Sequence, residues 1–170
     1  MLLDSLNPAA VAAGADIADA VRIGGVTLSR SDLVGAGTSV AERVGGAERV
    51  AILATPSAAT VLAVTGCLIA GVPFVPVPAD VGVAERAHIL TDSGAQAWLG
   101  EAPADLSGLP HVPVRLHARS WHRYPEPGPQ ETAMVIYTSG TTGAPKGAMI
   151  SRAAVAADLD ALAGAWQWSE

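Results

Sequence analysis

The sequence predicts an α/β fold: a layered, largely parallel sheet flanked by helices. Three observations carry that prediction. Short apolar runs suited to buried strands alternate with longer segments suited to helices. The connections are short and carry Gly, Pro, Asp or Ser at the breaks. Half of the 170 residues are apolar and only 15% are charged, which supplies a core and argues against disorder.

The elements follow in order. Residues 21–23 and 26–29 flank Gly24-Gly25, and two apolar runs around Gly-Gly predict a β-hairpin. Ser29 and Asp32 have capping-box spacing, with Asp in place of the longer Glu, and open a helix over 30–44 that Gly45-Gly46 ends. Leu33, Val40, Ala41 and Val44 are its core candidates. The VAILA run ending at Ala54 is a buried strand. Thr55-Pro56 supplies an N-cap and a first-turn proline for a helix that Gly71 ends. A strand over 73–77 follows. This apolar region is broken by Thr60, Thr65, Gly66, Gly71 and Pro73, whereas a membrane span needs roughly 20 unbroken apolar residues, so no integral membrane segment is expected.

Asp80 can cap a third helix over 83–92. Residues 95–99 and 112–114 are short strand candidates joined by the loop-like GEAPADLSGLP, and PEPGPQ at 125–130 is a breaker. A strand over 133–138 leads into a glycine-rich loop, and 149–150 is a further strand. Ser151 then caps a helix over 152–166. Length is consistent with one ordinary domain.

Composition narrows the function. A net charge of −6 argues against a general nucleic-acid binder or a binder of anionic membranes. The single cysteine, Cys67, lies in an apolar run; it excludes an internal disulfide and a cysteine-cluster metal site, and fits packing in a reducing, cytoplasmic setting. The opening MLLDSLNPAA has Asp4 where a signal peptide needs positive charge. HVPVRLHARSWHRY (111–124) interleaves basic and aromatic residues, but no RNA-binding motif accompanies it, so it reads as a solvated connecting segment. His117 and His122 have no paired carboxylate or cysteine at ligand spacing, and no metal site is expected. His88 reads as a half-buried polar contact on its helix, and Asp158 and Asp160 as a solvated face.

Nine of the ten basic residues are arginines. The one lysine, Lys146, lies in YTSGTTGAPKG (137–147) with Gly140, Gly143, Gly147 and the hydroxyls of Thr138, Ser139, Thr141 and Thr142. Glycines let backbone N–H groups converge on a polyanion, hydroxyls add donors, and an ammonium adds a compact charge. The loop therefore reads as an anion cradle after a strand. It is not a Walker A loop, because Lys146 stands between Pro145 and Gly147, and the chain has no G-x-G-x-x-G.

YTSGTTGAPKG closely resembles the phosphate-binding signature of the adenylate-forming superfamily, YTSGTTGxPKG, with Ala144 in the variable slot. That superfamily holds acyl- and aryl-CoA synthetases, adenylation domains of nonribosomal peptide synthetases, and luciferases. The stretch RVAILATPSAATVLAVTGCLIAGVPFVPVPAD resembles its strand–helix–strand leading to a "VP" strand. ERAHILTDSGAQAWL and VRIGGVTLSRSDL resemble the next helix and strand and the opening hairpin and helix. The resemblance runs from residue 21 to the end. The run DLDALAGAWQWSE resembles bacterial short-chain acyl-CoA synthetases, a group that includes malonyl-CoA synthetases.

The resemblance implies an ATP-dependent carboxylate–CoA ligase that forms acyl-AMP and pyrophosphate and then a thioester with coenzyme A. Its substrate would be a small carboxylic acid, malonate or another short acid. Position by position, Thr138, Ser139, Gly140, Thr141, Thr142, Gly143 and Lys146 become contacts to the ATP phosphates, with Mg²⁺ accompanying the nucleotide. Residues 1–170 would be part of the N-terminal ATP-binding domain. Members of the superfamily are much longer, and their acyl pocket, YGxTE- and TGD-type motifs and C-terminal domain with its catalytic lysine have no counterpart here. The expectations are a truncated chain, no catalytic residue within it and no ligase activity by itself, with oligomerisation through exposed apolar surface an option; Trp166 and Trp168 read as ordinary core or edge aromatics, the alternative being that they pack on the missing part. A free-standing module that binds phosphate or a protein without catalysis is the alternative from another class; a peptide-synthetase adenylation domain is the alternative within the superfamily.

Overall fold

The computed structural model describes residues 6, 8–106, 108–138 and 144–167. A short helix α1 (Pro8–Ala13) precedes a hairpin of β1 (Val21–Ile23) and β2 (Val26–Leu28). Helix α2 (Arg30–Val44) follows, opened by the expected capping box: Ser29 Oγ accepts from the Asp32 N–H at 3.0 Å, and the Asp32 carboxylate accepts from the Ser29 N–H at 3.1 Å. Aspartate can close the box despite its shorter side chain.

The central sheet is built from β3 (Val50–Ala54), β4 (Phe74–Pro78), β5 (Trp98–Leu99), β6 (His111–Val112), β7 (Thr132–Thr138) and β8 (Lys146–Ser151), in the spatial order β6-β5-β3-β4-β7-β8. Every adjacent pair is parallel except β7 and β8, which are antiparallel. Helices α3 (Ala58–Ala70) and α4 (Val83–Ser93) connect the strands, and α5 (Arg152–Trp166) follows β8.

Two apolar layers sandwich the sheet. On one face Val40 and Val44 of α2 and Ala63 and Cys67 of α3 pack on Val50, Ile52, Phe74 and Leu99. On the other face Ile89 of α4 packs with Ala51, Val75, Val77, Trp98 and Val135. Strand side chains alternate between the faces, so a parallel strand covered on both sides must be apolar throughout. That is why VAILA carries no polar residue. Cys67 is fully buried, and burial pushes its thiol pKa far up, which leaves it an inert packing residue. Helices α2 and α3 approach closely because small residues meet: a Cβ on Gly66 would lie 2.6 Å from Val40 Cβ and 2.7 Å from the Gly37 carbonyl oxygen. Among the described residues, no helix is long and apolar enough to cross a membrane.

Several local expectations change. The cap of α3 is Ser57, not Thr55, and Thr55 joins Ser57 and Thr60 in a hydroxyl cluster. The cap of α4 is Gly82, without a side-chain bond, so Asp80 does not serve. Segment 111–124 is tied to α2 rather than merely solvated: Arg119 pairs with Asp32, Ser120 donates to Glu42, and Trp121 lies against Gly35. Arg119 and Ser120 thereby have protein partners. The strand expected at 149–150 starts earlier, so Lys146 is a strand residue and not a loop residue. Helix α1 has no counterpart in the sequence-based reading.

Candidate functional site

The glycine-rich loop joins β7 to β8. Strand β7 runs parallel to β4, so the loop leaves the sheet at the carboxyl ends of its parallel strands. Ligands of open α/β sheets bind along that edge. Of the residues expected to contact phosphate, Thr138 and Lys146 are described; Ser139, Gly140, Thr141, Thr142 and Gly143 lie outside the described residues.

Thr138 and Lys146 are direct partners in the β7–β8 ladder, and both are exposed. Directly opposed residues of an antiparallel pair present their side chains to the same face. The hydroxyl and the ammonium therefore stand side by side on the two stems where the chain enters and leaves the loop. A single cation beside a threonine hydroxyl is chemistry for an anion.

The next rung pairs Tyr137 with Gly147. The Tyr137 ring occupies the space a side chain at 147 would take: a Cβ there would lie 3.0 Å from Tyr137 Cζ and 2.9 Å from Val135 Cγ1. Glycine is required at this position by close approach, independently of any ligand. The Tyr137 hydroxyl donates to Asp92 of α4 at 2.6 Å. Burial, followed by the hydrogen bond to Asp92 and its charge, pushes the Tyr137 pKa up to about 12.

His88, one helical turn before Asp92, has its Nε2 2.8 Å from the Pro145 carbonyl oxygen. A carbonyl only accepts, so Nε2 carries the hydrogen. The His88 ring also meets Tyr137 edge-on, with centroids 6.3 Å apart and planes at 90°. The expected half-buried polar contact of His88 is thus a contact to the stem of the glycine-rich loop. Asp92 and the role of Tyr137 were not singled out in the sequence. Only the i, i+4 spacing of His88 and Asp92 hinted that they share a face.

A separate cleft of about 490 Å³ lies elsewhere on α4, lined by Val83, Arg86, Leu90, Thr91, Leu106 and Leu109 among others. Its ion pair is internally satisfied: Arg86 binds Asp105 at 2.6 and 2.8 Å, which holds the Asp105 carboxyl below its ordinary value. Of the expected phosphate contacts that are described, neither Thr138 nor Lys146 lines it. Among the described residues, no group of three His, Cys, Asp or Glu side chains could hold a metal ion. Trp166 is 61% exposed, and Trp168 lies outside the described residues.

Residues 29–169 match the family described as AMP-binding enzyme. Comparison with curated proteins gives no match. Among solved structures, the chain is 44% identical to a malonyl-CoA ligase with methylmalonyl-CoA and AMP bound, over 89% of this chain and 33% of that one, with a TM-score of 0.80. It is 25% identical to the o-succinylbenzoate coenzyme A synthetase of Bacillus subtilis in complex with AMP, over 91% and 35%, with a TM-score of 0.77. A nonribosomal peptide synthetase bound to α-methyl-L-serine-AMP shares the fold at 22% identity, over 96% and 19%, with a TM-score of 0.78. The chain spans about a third of the length of the two CoA ligases.

Proposed function

From the premise that the chain belongs to the AMP-binding enzyme family, we propose that it is the ATP-phosphate-binding part of a ligase joining a short carboxylic acid to coenzyme A. The observation that carries this reading is the pairing of Thr138 with Lys146 across the mouth of the glycine-rich loop, at the carboxyl edge of the parallel strands. In this reading Thr138, Ser139, Gly140, Thr141, Thr142, Gly143 and Lys146 hold the β- and γ-phosphates while the acid's carboxylate attacks the α-phosphorus. Acyl-AMP forms, pyrophosphate leaves, and the thiol of coenzyme A then displaces AMP. The loop contributes positioning and charge stabilisation.

Mg²⁺ is proposed as the partner of the ATP phosphates. The donors described here fit that role and not a protein cage: no three-residue acidic or histidine cluster exists among the described residues, and Mg²⁺ commonly binds through substrate phosphates. The ion would neutralise phosphate charge, and Lys146 and the hydroxyls would orient the same group.

The acid is proposed to be malonate or a close relative, supported by the identity to the malonyl-CoA ligase, which exceeds that to the peptide synthetase. Complete ligation is proposed to need more chain than these 170 residues, because the ligases it resembles are about three times as long. The site is proposed to work in the cytoplasm.

The test is ATP–pyrophosphate exchange by the intact protein with a panel of acids. Malonate and methylmalonate are expected to support exchange. Exchange only with long fatty acids would defeat the short-acid reading, and exchange only with amino acids would favour a peptide-synthetase adenylation domain. The 170-residue chain alone is expected to release no pyrophosphate above a Lys146→Ala control.

A further inference from the structure

Both stems of the glycine-rich loop are held by one face of α4. His88 and Asp92 stand four residues apart on that helix, so their side chains lie one above the other. Asp92 accepts from Tyr137 on the β7 stem at 2.6 Å, and His88 donates to the Pro145 carbonyl at the β8 stem at 2.8 Å. The Tyr137 ring closes the gap between them, edge-on to His88 and against Gly147 on the opposite strand. The residue before Thr138 and the residue before Lys146 are thus both tied to the same helix.

We propose that His88 and Asp92 are positioning residues for the ATP-phosphate loop. The proposal rests on the phosphate-binding reading of that loop. The physical reason lies in the loop's composition. Glycines lose more backbone freedom on ordering than any other residue, so an unbraced loop of this kind would have to be ordered by the nucleotide itself. Anchoring both stems to α4 orders the ends before ATP arrives and fixes where Thr138 and Lys146 stand. Donors arranged in advance are worth more to a developing charge than donors that must reorganise. Neither His88 nor Asp92 touches the phosphates in this account. His88 acts through the Pro145 carbonyl and Asp92 through Tyr137.

The test uses the intact ligase, with separate KM values for ATP, the carboxylic acid and coenzyme A, and the thermal midpoint of each variant. His88→Leu removes the donor and keeps an apolar body; its KM for ATP is expected to rise about tenfold, the loss of one well-placed hydrogen bond. KM for the acid and for coenzyme A should stay near the parent values. His88→Gln, whose amide nitrogen reaches about where Nε2 lies, should restore most of the ATP affinity. Tyr137→Phe keeps the ring on Gly147 and removes only the bond to Asp92; it should raise KM for ATP in the same selective way, and it decides the matter if His88→Leu fails to fold. An unchanged KM for ATP in His88→Leu and Tyr137→Phe, or a uniform rise in all three KM values with a lowered midpoint, would overturn the proposal. A parent enzyme that exchanges pyrophosphate normally while both variants match it sinks the brace alone. A parent that exchanges none with any acid sinks the phosphate-loop reading and the brace with it.

Discussion

Thr138 and Lys146 face each other across the rung of the β7–β8 ladder nearest the glycine-rich loop. The pairing places the chain's one lysine beside a hydroxyl, at the carboxyl edge of the parallel strands. Removing that ammonium from the intact enzyme should weaken stabilisation of the phosphates. Lys146→Ala is expected to lower kcat/KM for ATP by about 10²–10³-fold, the scale for losing one preorganised electrostatic donor. Lys146→Arg keeps the charge but replaces a compact ammonium with a planar fork, and should also impair ATP use. Steady-state kinetics with ATP varied check both, and unchanged ATP kinetics in Lys146→Arg would refute the need for a compact charge.

Gly147 tests close approach rather than charge. A methyl group there would meet Val135 Cγ1 at 2.9 Å and Tyr137 Cζ at 3.0 Å. Gly147→Ala should therefore push the Tyr137 ring off the ladder, at a cost of about 1–3 kcal/mol for overpacking. Denaturant unfolding measures it. A midpoint equal to the parent's would mean that the ring yields freely and that close approach does not require glycine at 147.

Gly66 tests the packing of α2 on α3. Its nearest obstacles are Val40 Cβ at 2.6 Å and the backbone oxygen of Gly37 at 2.7 Å, and a backbone atom cannot rotate away. Gly66→Ala is expected to destabilise by about 3 kcal/mol, the upper end for small-to-large changes. For a chain of this size that corresponds to a fall in Tm of roughly 6–12 °C. A scanning calorimetry trace without such a shift would contradict the close helix approach.

Tyr137 makes a pH prediction with a definite sign. Its ordinary pKa is 10.0 and the folded value is about 12, so the folded chain holds the phenolic proton more tightly than the unfolded chain. That contribution is complete below about pH 10 and is lost as pH rises from there to about 12. Tyr137→Phe should remove part of the alkaline loss of stability, seen as a flatter plot of unfolding midpoint against pH over that window. Parallel plots for parent and variant would show that Tyr137 ionises as it does in the unfolded chain.

What the amino-acid sequence determined by itself was local or periodic. The capping box at Ser29 and Asp32, the apolar run of β3, the glycine stop of α3 and the glycine-rich loop all announce themselves within a few residues. Their physics acts over one turn or one strand, so spacing and residue type suffice. The candidate phosphate contacts are proposed from the sequence on the same local ground, since all lie between positions 138 and 146. The tertiary structure decided what depends on distant residues. That β8 returns antiparallel beside β7, making Lys146 a strand partner of Thr138, follows from pairing that a glycine-rich sequence does not encode locally. That His88 reaches Pro145, 57 positions away, and that Asp92 receives the Tyr137 hydroxyl, follow from α4 packing beside that hairpin. A hydrogen bond between residues remote in the chain leaves no periodic trace in either segment, so only the fold could bring those anchors to the loop.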